Sequence, residues 1–197
     1  MSVEATQDMC RYCFDTLLEY LESGNKMPKY TPKFSNEDFP LFVTWNKKNS
    51  KGEYSLRGCI GTFSEQPLHR TLANYAITSA VHDSRFNPIT KSELPDLKCS
   101  VSLLVNFEDG DDVYDWEIGT HGIRISFVNP STGRESGATY LPEVCSEQEW
   151  TKEECLESLY RKAGYRGKLN KELLESTHLE KYQSTKSHIE YNDYIKL

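Results

Sequence analysis

The sequence predicts an α+β fold, in which helices flank a mainly antiparallel sheet. Two pairs of strand-like segments, each joined by a short turn, indicate two hairpins. Residues 8–23 and 68–81 carry apolar side chains at helical spacing. Strands and helices do not alternate strictly, as they do in a βαβ protein, so a mainly antiparallel sheet is favoured.

The first half of the chain predicts two helices and three strands. A helix over residues 8–23 ends at Gly24, and Pro67 opens a second, largely buried helix. Thr90 to Leu94, "TKSEL", resembles a capping box. The predicted strands are "LFVTW" (41–45), "EYSLRGCIGTF" (53–63) and "KCSVSLLVNF" (98–107).

The second half predicts a hairpin, a helix and a polar tail. The segment 121–141 has two strand-like arms around "NPSTG". A helix is expected from about Glu147 to Ala163, capped by Gly164. The last thirty residues are weakly patterned, and we expect at most a short edge strand in "HIEYNDY" (188–194).

Length and composition favour one compact domain over residues 1–197, built of two unequal lobes. Hydrophobic residues make up 37% of the chain, which excludes a disordered protein. The formal charge of −7 disfavours a protein that coats nucleic acid, because such binding needs clustered cations. No targeting or membrane-spanning segment is visible, so we expect an intracellular, membrane-free protein.

The six cysteines are expected to be reduced thiols. Cys10 and Cys13 form a C-x-x-C, which a zinc or redox site would use. Cys13 lies on the apolar stripe of the first helix, however, and no second close pair exists. We therefore predict no metal site, and no motif identifies a cofactor.

One segment runs against the acidic charge of the chain. Residues 161–171, "RKAGYRGKLNK", contain five cations and no acid. They could complement a helix dipole and form a solvated loop, or they could make a weak local contact with RNA. The five cations are Arg161, Lys162, Arg166, Lys168 and Lys171.

The stretch "LRGCIG" is the main candidate site. In a regular strand Arg57, Cys59 and Gly61 share one face, and Arg57 would then favour the Cys59 thiolate or bind an anion. Gly58 and Gly61 would admit a ligand, or else a packed helix with Cys59 as a small core residue. Because Gly58 shares the other face with apolar neighbours, we expect a side chain to be disruptive at Gly58 and tolerated at Gly61.

Four further positions could take part in chemistry. His82, Asp83 and Arg85 follow the second helix and could bind a ligand or form a capping and ion-pair cluster. His121 could act as a general base or be structural. The predicted catalytic residues are Cys59, His82 and His121, and the predicted ligand-binding residues are Arg57, Gly58, Gly61, Asp83 and Arg85.

The sequence resembles the AMMECR domain family over about residues 8–191. The resemblance rests on "LRGCIGTF", "HDSRFNPIT", "YDWEIGTHGIRISF", "ATYLPEV", "EQEWTKEECLESLYRKAGY" and "YQSTKSHIEY". The early "MCRYCFDTL" looks like the animal branch. The resemblance implies a cleft between the two lobes, bordered by the glycine-cysteine strand, and a nuclear or cytoplasmic location.

Two functions are compatible with the sequence and with this resemblance. The resemblance implies that bacterial and archaeal relatives are encoded beside, or fused to, a Memo-like domain and a radical-SAM protein, and hence a shared role in modifying a base or another small aromatic substrate. The chain would then be a cleft-bearing ligand-binding domain or a thiol-dependent enzyme. The alternative is a regulatory or adaptor module that binds a protein or RNA partner and catalyses nothing.

Overall fold

A computed structural model describes residues 3–24 and 28–196. It confirms the α+β class, with a mainly antiparallel sheet flanked by helices. In chain order the elements are α1 (Gln7–Ser23), β1 (Asp38–Lys48), β2 (Tyr54–Pro67), α2 (Leu68–Val81), a 3₁₀ helix (Lys91–Asp96), β3 (Leu97–Asp109), β4 (Gly122–Val128), β5 (Glu135–Tyr140), α3 (Pro142–Glu147), α4 (Lys152–Lys162), α5 (Lys171–Ser176), β6 (His178–Glu190) and α6 (Tyr191–Tyr194).

The chain divides into two units of unequal size, as the sequence predicts. The first comprises residues 1–104 and 185–197, and the second residues 105–184. Strands β3 and β6 each belong partly to both units. In the first unit the strand order is β2-β1-β3-β6, and in the second it is β3-β6-β4-β5.

Helix α1 begins and ends where local chemistry dictates. The Thr6 side chain accepts a hydrogen bond from the Met9 backbone N–H. Gly24 adopts φ 76°, and its N–H donates to the Tyr20 carbonyl. This confirms the predicted helix and its glycine cap.

The core of the first unit lies on one side of β1. Leu41, Val43 and Trp45 are fully buried, and the Trp45 indole N–H donates to the Ala76 carbonyl of α2 at 3.0 Å. The intervening residues Phe42 and Thr44 are only partly buried. We call the side of β1 and β2 that carries Phe42, Thr44 and Cys59 the open face.

A β-bulge interrupts the pairing of β1 with β2. Trp45 is opposite Gly58 and Asn46 is opposite Leu56, so Arg57 is an extra residue without a partner on β1. The bulge changes the alternation of side chains, and the prediction that Arg57 shares a face with Cys59 is wrong. Arg57 turns instead towards Glu93 of the 3₁₀ helix.

The second unit contains its own core, between β4 and α4. Ile123, Ile125 and Phe127 of β4 are buried in one cluster with Leu156 and Leu159 of α4. The predicted helix over 147–163 corresponds to α4, which begins only at Lys152, and a separate short helix, α3, precedes it. Between them Glu149 takes a left-handed φ of 56°, and Thr151 then opens α4 with a capping box.

The carboxyl-terminal segment differs most from its prediction. It forms a 13-residue strand, β6, which lies between β3 and β4 rather than at an edge. Leu179, Tyr182 and Ile189 are buried, but most of the strand is only partly covered. The apolar alternation is therefore too sparse to mark a central strand in the sequence.

We predict that Gly58→Ala and Gly61→Ala both lower the free energy of unfolding by about 1–3 kcal/mol, measured by urea denaturation. An added Cβ would lie 1.9 Å from the Ser79 carbonyl oxygen at Gly58 and 2.1 Å from the Leu41 carbonyl oxygen at Gly61. The expectation that Gly61 tolerates a side chain is therefore wrong.

Ser55→Ala is the control, because Ser55 is exposed in the same strand. It should change the free energy of unfolding by less than about 0.5 kcal/mol. Wild-type stability of Gly61→Ala would contradict the pairing of Gly61 with Phe42.

Candidate functional site

Asp83 and Arg85 hold the backbone of Cys59 at the outer edge of β2. The Cys59 N–H donates to Asp83 Oδ2 at 2.9 Å, and Arg85 Nη2 donates to the Cys59 carbonyl at 3.0 Å. The two side chains thus satisfy the groups that a neighbouring strand would otherwise pair. The structure brings three predicted site residues together in this way.

Asp83 and Arg85 form an ion pair with two hydrogen bonds between their side chains. Hydrogen bonds from Arg85 and from the Cys59 backbone outweigh burial and hold the pKa of Asp83 well below its ordinary value. The Asp83 side chain is 5% exposed and that of Arg85 is 55% exposed. Arg85 therefore fixes the strand edge and still faces solvent.

The Cys59 thiol lies on the open face, beside Thr44. The Thr44 hydroxyl donates to Cys59 Sγ at 3.1 Å. Burial raises the pKa of the thiol, although the Thr44 hydroxyl and the charges of Arg85 and Lys186 act in the opposite direction. The thiol is consequently neutral at pH 7.

Arg57 is committed to a different network. Its Nε and Nη2 donate to the two carboxylate oxygens of Glu93 at 3.0 and 3.2 Å. Lys47 Nζ approaches the same carboxylate at 2.9 Å. Arg57 therefore does not lower the pKa of Cys59 as expected. The charges of Arg85 and Lys186 act on the thiol in that direction instead.

The two glycines of "LRGCIG" serve different neighbours. Gly58 faces the backbone of α2, whereas Gly61 lies against Phe42 on the open face. The Phe42 ring packs edge-on against the Phe63 ring, with 5.3 Å between centroids. Gly61 thus leaves room for an aromatic pair beside the thiol.

The two candidate histidines lie in different units. His82 is exposed at the end of α2 and borders a cavity of about 330 Å³, together with Gln66, Asn74 and Tyr75. His121 belongs to the second unit, where its Nδ1 accepts the Glu117 backbone N–H at 3.0 Å. Their catalytic roles stay predictions.

Sequence reasoning did not single out Phe42, Thr44, Glu93 or Lys186. Glu93 had a signal, since it is the acidic residue of the predicted capping box, which is present. Thr44 and Phe42 occupy the alternate positions of β1 opposite its buried residues. Their register with Cys59 and Gly61 could not be read from either strand alone.

The cysteines occur as free thiols. Cys10, Cys13 and Cys99 are fully buried in the first unit, and Cys145 and Cys155 are buried in the second. Over residues 3–24 and 28–196, no group of three or more His, Cys, Asp or Glu side chains could hold a metal ion. In that same part of the chain, no helix is long and apolar enough to cross a membrane.

Comparison with known proteins identifies the family. The AMMECR1 family model matches residues 10–187. The chain belongs to the AMMECR1 family. An uncharacterized protein of Arabidopsis thaliana is 45% identical over 193 residues, which cover 98% of this chain and 89% of that protein.

Further relatives come from yeast and from an archaeon. An uncharacterized protein of Saccharomyces cerevisiae is 40% identical over 181 residues, covering 82% of this chain and 72% of that one. The crystal structure of an uncharacterized protein from Pyrococcus horikoshii superposes with a TM-score of 0.73 at 30% identity, covering 93% of this chain and 90% of that one. These plant, yeast and archaeal relatives do not support an animal-branch assignment, and they assign no activity.

We predict that Glu93→Gln lowers the free energy of unfolding at neutral pH by about 2 kcal/mol, because Arg57 and Lys47 lose their shared partner. Burial alone would raise the pKa of Glu93, but hydrogen bonds from Arg57 and Lys47 lower it to about 2. The charged carboxylate therefore stabilises the fold above its ordinary pKa of 4.5, and this contribution disappears as the pH falls towards 2.

Urea denaturation over a pH series tests this prediction. The difference between wild type and Glu93→Gln should shrink as the pH falls below about 4.5. Glu65→Gln, at an exposed position of β2, is the control and should change stability by less than about 0.5 kcal/mol. A difference that stays constant down to low pH would show that the Glu93 charge is not the stabilising element.

Proposed function

We propose that this AMMECR1 domain binds a small aromatic anion on the open face around Cys59. The observation that carries the proposal is the juxtaposition of an aromatic pair, a hydroxyl and a thiol on one side of β1 and β2, where the thiol also feels the charges of Arg85 and Lys186. This agrees with the hypothesis of a domain linked to modification of a base or another small aromatic substrate.

The aromatic pair supplies an apolar surface. Phe42 and Phe63 are each partly exposed, and Gly61 adds no side chain between them and Cys59. A planar ligand could pack against these rings in offset or edge-on geometry. The arrangement favours a flat, aromatic ligand over a flexible polar one.

The cations supply the preference for negative charge. Arg85 and Lys186 both act electrostatically on the Cys59 thiol, and Arg85 is more than half exposed. Because Arg85 Nε and Nη2 already donate to Asp83 and to the Cys59 carbonyl, a carboxylate placed at the thiol would meet the remaining Nη1 of Arg85 and the charge of Lys186. The Asp83 carboxylate already accepts hydrogen bonds from Arg85 and from the Cys59 backbone. It therefore positions these groups and does not contact the ligand.

The thiol acts in this proposal as a contact and not as a nucleophile. Its hydrogen-bond partner among the described residues is Thr44, and burial keeps it protonated at neutral pH. A nucleophilic cysteine needs an adjacent base or a lowered pKa.

The location that we propose is intracellular, in the nucleus or the cytoplasm. The six free cysteines, five of them buried, support an intracellular protein.

The binding test uses two phosphate-free aromatic carboxylates, 4-hydroxybenzoate and orotate. Amide NMR shifts of wild-type protein should move at Phe42, Cys59 and Phe63. Lys186→Gln should weaken the shifts, whereas Lys51→Gln, which removes an equal charge from an exposed turn, should not. No shift on the open face with either compound would overturn the proposal in favour of a non-catalytic adaptor module.

We predict that iodoacetamide alkylates Cys59 of the folded protein more slowly at pH 7 than in urea, because the raised pKa leaves little thiolate. The rate should rise with pH, and Thr44→Val should slow it by removing the hydroxyl that favours the thiolate. Mass spectrometry locates the label, and the buried cysteines should react only after unfolding.

Faster alkylation of folded than of unfolded protein at neutral pH would contradict the contact role. That result would identify an activated thiol, and the thiol-dependent enzyme would become the better hypothesis.

A further inference from the structure

Tertiary structure separates the five cations of the segment 161–171 into two groups. Lys162 turns to the Thr139 carbonyl at 2.9 Å and lies over the Tyr140 ring. Lys171 pairs with Glu175 at 3.5 Å. The remaining three, Arg161, Arg166 and Lys168, line one cavity in the second unit.

The cavity has a basic rim and a tyrosine floor. Its volume is about 510 Å³. Tyr160 and Tyr165 are buried, 1% and 7% exposed, so they close its base, while the three cations are exposed. Glu157 is the one carboxylate of the lining.

The loop that carries Arg166 and Lys168 is held in place by the protein itself. Gly164 adopts φ +90°, and the Tyr165 N–H donates to the Tyr160 carbonyl at 2.9 Å. The Tyr165 hydroxyl donates to the Lys168 carbonyl at 3.1 Å, and Gly167 lies so close to the Tyr165 ring that an added Cβ would be 2.4 Å from its hydroxyl oxygen. Such a loop presents its cations with little loss of conformational entropy on binding.

The cations at the rim remain available to a ligand. Arg166 and Lys168 form no ion pair among the contacts of the described residues. Arg161 meets Glu157 at 3.4 Å, with side chains 68% and 57% exposed. Pairs of this kind contribute little in water, so Arg161 can turn to an anion.

We propose that this cavity binds a small ligand carrying a diphosphate group. Three cations against one carboxylate leave a net positive site in an otherwise acidic chain. Guanidinium groups bind phosphate oxygens in a bidentate manner, and the volume fits a ligand of nucleotide size. Because Lys162 and Lys171 do not line this cavity, the other three cations form a pocket and not the extended stripe that RNA would need.

The test measures binding of sodium pyrophosphate and of ADP to the full chain by isothermal titration calorimetry. Pyrophosphate should bind if the diphosphate alone is recognised, and ADP should bind more tightly if the cavity also accommodates a nucleoside. The double variant Arg166→Gln, Lys168→Gln should weaken either affinity by about tenfold or more. The matched double variant Lys162→Gln, Lys171→Gln removes the same charge and should change it less than about twofold.

Urea denaturation of both double variants checks that each is folded, and since Arg166 and Lys168 are exposed we expect little change. Equal weakening by the two variants would reduce the effect to net charge and overturn the proposal. So would the absence of pyrophosphate and ADP binding at millimolar concentration. A single-stranded RNA that binds through Arg166 and Lys168 while both diphosphates fail would overturn it in favour of an RNA contact.

Discussion

The close approach of Gly58 to helix α2 is the constraint on which the first unit depends. The Ser79 carbonyl occupies the space that a Cβ at Gly58 would need, so β2 and α2 are in backbone contact. Trp45, opposite Gly58, reaches the Ala76 carbonyl of the same helix. Once α2 is fixed here, its end delivers Asp83 and Arg85 to the exposed edge of β2, where they bind the Cys59 backbone.

Much of the polar chemistry around "LRGCIG" maintains the structure. The Glu93 carboxylate accepts hydrogen bonds from Arg57 and Lys47. The Asp83 carboxylate accepts hydrogen bonds from Arg85 and from the Cys59 N–H. Each carboxylate is largely buried and satisfied by several donors, which makes it costly to remove. The binding that we propose therefore depends mainly on the open face, where Phe42 and Thr44 were not recognised from sequence.

The two units offer different chemistry. In the first, an aromatic pair and a protonated thiol lie on an open sheet face, and the charges of Arg85 and Lys186 act on the thiol. In the second, three exposed cations surround a cavity with a tyrosine floor. The family relationship leaves both possibilities open, because the plant, yeast and archaeal relatives are uncharacterized.

The sequence by itself determined the features that depend on neighbouring residues: helix α1 with its Gly24 cap, the Thr90–Glu93 capping box and the two hairpins. These are set by hydrogen bonds and turn conformations within a few residues. Only the tertiary structure decided the bulge at Arg57, the central place of β6 and the division of the basic segment. Each of these depends on a partner distant in sequence. A single extra residue in a strand reverses which side chains share a face, and a cation is free or engaged according to what folds against it.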